Sequence, residues 1–142
     1  MSLPPFVRYA YNNERIDVTI LNSGILYINW KGPQDLQSIR REGARLLDIQ
    51  REAGFTRAVN SNITVTGDWD EALPYVTDEW FPAMANYGLR YFAWILPVDA
   101  DALTSVRKVT ATSVSIATFS DLYAACTWLY KMPGAHTPSL FD

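Results

Sequence analysis

A single cysteine, Cys126, and a single histidine, His136, leave this sequence short of the side chains on which most enzyme chemistry depends. One cysteine excludes an internal disulfide and any multi-cysteine metal site, and it fits a reducing compartment. A Ser-His-acid triad needs a histidine, and His136 lies in a Pro-flanked tail beyond the last expected helix. No G-x-G-x-x-G or G-x-x-x-x-G-K-[ST] run follows any expected strand, so a phosphate cradle is missing. No apolar stretch nears the roughly 20 residues that span a bilayer. Met1 to Glu14 has no basic run followed by an apolar segment, so the expectation is a cytoplasmic protein without export signal or membrane insertion. The 12 basic and 15 acidic residues are interspersed, which argues against nucleic acid as a partner. No cofactor is expected, and no enzymatic activity.

What the chain has is apolar and aromatic material. With 49% apolar residues, 142 residues make one domain with a core of its own. Aromatic residues reach 13%, five of them tryptophan, enough to pack between helices and a sheet or to face a ligand or partner.

Periodicity supplies the order of elements. A short strand is expected at Val7–Tyr11. Arg15–Leu21 and Ile25–Trp30 alternate about the Asn22-Ser23-Gly24 turn, which reads as a hairpin. Gly32 and Pro33 suit the entry of a helix running to Ala53, with Gly54 closing it. Leu36, Ile39, Gly43, Leu46 and Leu47 form its inner stripe. Arg40, Arg41, Glu42, Arg45, Asp48, Arg51 and Glu52 form a solvated outer face. Phe55–Val59 reads as a third strand and Asn60–Gly67 as a loop. Asp68 then caps a helix, with Glu71 three residues on as a capping box requires. Trp69, Leu73, Val76, Trp80, Met84 and Tyr87 share one face of that helix, and Pro74 and Pro82 bend or split it. After Gly88, Leu89–Leu96 is an apolar run typical of a strand buried on both faces. Asp99 caps a helix over Ala100–Ala111 with Leu103, Val106 and Val109 inward. Val114–Phe119 reads as a strand, and Ser120 caps a last helix ended by Pro133 and Gly134. The fold class is α/β: an N-terminal β-hairpin, then alternating helices and strands. Together they make a mixed, mostly parallel sheet of about five strands with about four helices.

Chemistry has few footholds. Asp68, Asp70 and Glu71 are a carboxylate cluster, although first helical turns favour carboxylates for electrostatic reasons alone. Cys126 falls mid-helix, where a small core side chain is expected. The Asn60–Gly67 segment leaves the C-terminal end of a strand, where ligands bind in open α/β sheets. That makes Asn60, Ser61, Asn62, Thr64, Thr66 and Trp69 the candidate binding residues. A small apolar or lipid-like ligand would be held by Trp69, Trp80, Tyr87 and neighbouring side chains.

Three segments together carry a family resemblance: Leu26-Tyr27-Ile28-Asn29-Trp30-Lys31-Gly32; Trp80-Phe81-Pro82 with Gly88-Leu89-Arg90; and Phe119-Ser120-Asp121-Leu122 with Ala125 and Trp128-Leu129. From Arg15 to Tyr130 the chain resembles small bacterial STAS-like proteins, relatives of the anti-sigma-factor antagonists. At fold level these are grouped with CRAL-TRIO lipid-binding domains. The resemblance implies a STAS-type sheet and a regulatory, non-catalytic module that binds a protein partner or a second copy of itself. Those antagonists carry a phosphorylatable serine in an Asp-Ser-Ser-Gly turn after the third strand. Asn60-Ser61-Asn62 stands there in this chain, and Ser61 is the candidate phosphoacceptor.

Overall fold

A computed structural model describes residues 7–110 and 113–132. Pro4, Pro5, His136 and the Pro133-Gly134 helix end lie outside the described residues. Six strands form one sheet in chain order: β1 (Tyr11–Asn12), β2 (Ile16–Leu21), β3 (Ile25–Pro33), β4 (Arg57–Thr66), β5 (Tyr91–Ile95) and β6 (Ser115–Phe119). β1, β2 and β3 pair antiparallel, whereas β3 through β6 pair parallel. The α/β class, the N-terminal hairpin and the mixed, mostly parallel sheet are those expected; β1 makes it six strands. The expected strand at Val7–Tyr11 is a 3-10 turn over Val7–Tyr9, followed by the two-residue β1. In the hairpin, Ser23 and Gly24 both take left-handed backbone, and the Gly24 N–H donates to the Leu21 carbonyl at 3.1 Å.

Helix α1 (Leu36–Ala53) starts three residues later than expected, because Pro33 still belongs to β3. Asp35 is the cap. Its carboxylate accepts from the Ser38 N–H at 2.7 Å, and the Ser38 hydroxyl accepts from the Asp35 N–H at 3.0 Å. Gly54 closes the helix at φ +66°. Glu42 is not on the solvated face: its side chain is buried, accepting from Asn13 Nδ2 and Arg41 Nε.

The helical path after β4 changes pitch. Asp70–Ala72 is a 3-10 turn, Tyr75–Trp80 a π segment and Phe81–Asn86 the α-helix α2. Pro82 lacks the N–H for an ordinary i→i−4 bond, and its ring would press on the preceding turn. The widened turn, in which the Phe81 N–H reaches the Val76 carbonyl, accommodates both. The expected split of this helix takes that form. α3 (Ala100–Arg107) is capped by Asp99 as expected, but Ala102, Ser105 and Val106 face inward, with Leu103 and Val109 only half-buried. α4 (Leu122–Lys131) is capped by Asp121, whose carboxylate accepts from the Ala124 N–H, and not by Ser120.

Parallel crossovers that always step the same way put α1, the 70–86 segment and α3 on one face of the sheet. Ile28, Leu46, Trp69, Phe81, Phe92 and Val106 belong to the core on that face. Among the described residues, α4 alone covers the other face, over Ile25, Val59, Ala93 and Ile95. No helix among the described residues is long and apolar enough to cross a membrane.

Candidate functional site

The segment Asn60–Gly67 is not a loop. Residues 57–66 form one ten-residue strand, because β3 continues to Pro33 and pairs with it: Lys31 with Thr64, Gly32 with Val65, Pro33 with Thr66. Between Asn29 and Lys31 two steps on β3 face three on β4, from Ser61 to Thr64. That bulge changes the alternation of the strand. Before it, Ala58, Asn60 and Asn62 share the face toward α1; after it, Val65 is the buried residue and Thr64 and Thr66 are exposed.

The structure therefore divides the candidate residues. Asn60, Asn62 and Trp69 meet at one cleft. Thr64 and Thr66 lie outside it. Ser61 points to the opposite face and is 1% exposed, with its hydroxyl accepting from the Ile63 N–H at 3.5 Å. The carboxylate cluster separates as well. Asp68 accepts from the Asp70 N–H at 3.3 Å. Asp70 accepts from the Ser105 hydroxyl and Lys108 Nζ, both at 2.7 Å, and these partners hold its carboxyl below the usual carboxylate range. Glu71 accepts from the Leu36 N–H of α1. The expected Asp68–Glu71 capping box is absent because each side chain serves another partner, and the three do not converge on a substrate position. Among the described residues, no three His, Cys, Asp or Glu side chains are placed to hold a metal. Burial raises the Cys126 thiol pKa, which suits a packing role.

The cleft lies between α1 and the π segment, above the C-terminal parts of β3, β4 and β5. Its cavity is about 50 Å³. Trp30, Trp69, Tyr75, Trp80, Phe92 and Trp94 form most of the wall; Gln34, Asn60 and Asn62 supply the polar part. The Trp69 and Trp94 rings stack, with centroids 6.2 Å apart and planes 17° from parallel. Trp80 is held by α1: its Nε1 donates to the Gly43 carbonyl at 3.1 Å. A Cβ at Gly43 would sit 2.6 Å from the Tyr75 hydroxyl, so the glycine is what lets this wall approach the helix. The Tyr75 phenol pKa is raised, chiefly by burial and then by the Glu79 charge.

One polar chain crosses the floor. Trp30 Nε1 donates to Asn60 Oδ1 at 2.9 Å, and Asn60 Nδ2 donates to Asn62 Oδ1 at 3.0 Å. The indole nitrogens of Trp69 and Trp94 are buried and have no hydrogen-bond partner among the described residues. Gln34 is tied down, donating to the Arg15 and Lys31 carbonyls and accepting from the Ser38 hydroxyl. Sequence reasoning missed Trp30, Gln34, Tyr75, Phe92 and Trp94 as cleft residues, and Tyr87 does not line it. The available signal was Asn60 and Asn62, two amides at strand spacing within a run otherwise rich in β-branched residues.

Compared with known proteins, the chain matches no family model, no curated protein and no solved structure.

Proposed function

We propose that this chain is a non-catalytic binding protein and that the aromatic cleft between α1 and the π segment takes a small, largely apolar ligand. The observation that carries this reading is the pair of stacked indoles in the cleft wall whose buried N–H groups have no partner among the described residues. A buried unsatisfied donor costs about 1–3 kcal/mol, a cost that a ligand acceptor would remove. Three further features support it. The cleft lies toward the carboxyl ends of parallel strands, and it is bordered by a π segment and a β-bulge, irregularities that recur at functional sites. Equilibrium dialysis of the protein against a small-molecule extract of its host, read by mass spectrometry, tests this. Retention of a small compound by the protein, and not by a Trp69→Ala, Trp94→Ala variant that is still folded, is the expected result. No retained compound, or equal retention by both proteins, overturns it.

A second reading, a STAS-type regulatory module docking a protein or a second copy of itself, is favoured by α4. That helix presents Leu122, Tyr123 and Tyr130 to solvent, with Tyr123 84% exposed. Concentration-dependent association in sedimentation experiments, lost in Tyr123→Ser, Tyr130→Ser, is its expected outcome. A strict monomer at every concentration, together with a host pull-down that recovers no protein lost by the same variant, removes it.

A further inference from the structure

We infer that the cleft is a donor site, built for a flat, neutral ligand that carries a hydrogen-bond acceptor; this rests on the ligand-binding reading above. The reasoning starts at Trp30. An indole nitrogen can only donate, so the group it meets at 2.9 Å must be the Asn60 carbonyl oxygen. Asn60 is then left with its Nδ2 to offer, and the atom it meets at 3.0 Å must be the Asn62 carbonyl oxygen. Two bonds thus fix the orientation of both amides, and Asn62 has its Nδ2 donors left over.

The other unused polar groups point to the same chemistry. Trp69 Nε1 and Trp94 Nε1 are buried donors without partners, and neither can accept. The acceptors nearby already hold one bond each, the Gly43 carbonyl from Trp80 Nε1 and Gln34 Oε1 from the Ser38 hydroxyl. The Tyr75 hydroxyl can act either way. A carbonyl oxygen or ring nitrogen on a ligand would supply the acceptor that the two buried indole donors lack among the described residues.

Charge is excluded on similar grounds. No Lys, Arg, His, Asp or Glu lines the cleft, so a buried charge would have no counter-ion there. Arg40, over the Tyr75 ring at 5.3 Å from its centroid, is exposed and already faces Glu79. The aromatic walls and the stacked pair suit a planar ring. A neutral conjugated carbonyl compound or a neutral nitrogen heteroaromatic meets all these conditions.

Acetophenone and α-methylstyrene test this as probes, since they share shape and differ in a carbonyl oxygen against a methylene. The readout is the set of indole N–H resonances of the ¹⁵N-labelled protein. Acetophenone is expected to bind at least about tenfold more tightly than α-methylstyrene, the worth of one hydrogen bond to a buried donor. It is also expected to shift the Trp69 or Trp94 indole signal downfield while leaving those of Trp30 and Trp80, already engaged, nearly unmoved. Equal affinity for both probes with all four signals unmoved beyond ring-current effects overturns the donor assignment and leaves ligand binding standing. If neither probe binds at millimolar concentration, the binding reading and this inference both fall.

Discussion

The Glu71 carboxylate accepts a hydrogen bond from the Leu36 backbone N–H at 3.1 Å, so a side chain placed to cap its own helical segment caps a different helix. Asp35 holds the Ser38 N–H of the same helix end. The first turn of α1 is therefore secured from two distant parts of the chain, and the 3-10 turn that leads into the π segment is tied to α1. Glu71→Ala should cost about 0.5–1 kcal/mol in urea unfolding, the usual worth of a helix cap. Ser120→Ala should cost nothing measurable, because Asp121 caps α4. Equal effects from the two variants would contradict this assignment of caps.

Acid should weaken the fold through Asp35 and Asp70. Both carboxyls are held below their ordinary value, Asp35 first by the Ser38 N–H and Asp70 first by Lys108. A depressed folded-state value means the stabilisation is present above the unfolded pKa, near 4, and is lost as pH falls through the folded one. Asp35→Asn, Asp70→Asn should therefore show a flatter decline of stability below about pH 4 than the native protein. The measurement is the urea midpoint across pH 2–6, and parallel curves would refute the assignment.

Gly43→Ala separates helix propensity from packing. Alanine is favoured over glycine by about 1 kcal/mol in a helix interior, but its Cβ would press on Tyr75 and on Trp80 Cδ1 at 3.2 Å. Overpacking costs about 1–3 kcal/mol, so net destabilisation by about 1 kcal/mol is expected, with a narrower cleft. Stabilisation would mean that Tyr75 moves aside freely.

Much of the fold was readable because its signals are local. Alternation marked the hairpin, Gly54 marked the end of α1, and the apolar run from Leu89 marked β5. The second half of β4 was hidden because Asn60, Ser61 and Asn62 resemble loop residues. What makes them strand is non-local: the extension of β3 to Pro33 and the Trp30–Asn60 bond across 30 residues of sequence. Caps exchanged between elements were unreadable for the same reason. Asn60, Asn62 and Trp69 line one cleft, whereas the alternation change at the bulge, which turns Val65 inward in place of Thr64, leaves no mark in composition.

Burial of Ser61 bears directly on a phosphorylation switch. The side chain is 1% exposed on the sheet face opposite the cleft, and its hydroxyl accepts from the Ile63 N–H. A kinase would have to unfold this part of β4 to reach it. Ser61→Ala should cost about 1 kcal/mol, the loss of one hydrogen bond, and Ser61→Asp about 3 kcal/mol or more through a buried unpaired charge. Mass spectrometry of protein from its host should find Ser61 unmodified under every growth condition; a stoichiometric phosphate there would refute the burial argument.

Trp80→Phe and Trp94→Phe remove the same atoms from two buried indoles that differ in one respect. Trp80 Nε1 donates to the Gly43 carbonyl, whereas Trp94 Nε1 has no partner. Both changes lose part of a ring and leave a small void of similar size. Trp80→Phe also loses the bond to the Gly43 carbonyl, which keeps its helical partner, while Trp94→Phe relieves an unsatisfied donor. The unliganded protein should therefore lose about 1–3 kcal/mol more from Trp80→Phe than from Trp94→Phe. Ligand reverses the ranking at Trp94. In the presence of saturating acetophenone, Trp94→Phe should forfeit part of the ligand's stabilisation, because the donor it removed is one the ligand would use. A Trp94→Phe protein as destabilised as Trp80→Phe without ligand would show that the Trp94 N–H is already satisfied in solution. The case for the cleft as a donor site would then rest on Trp69 and Asn62 alone.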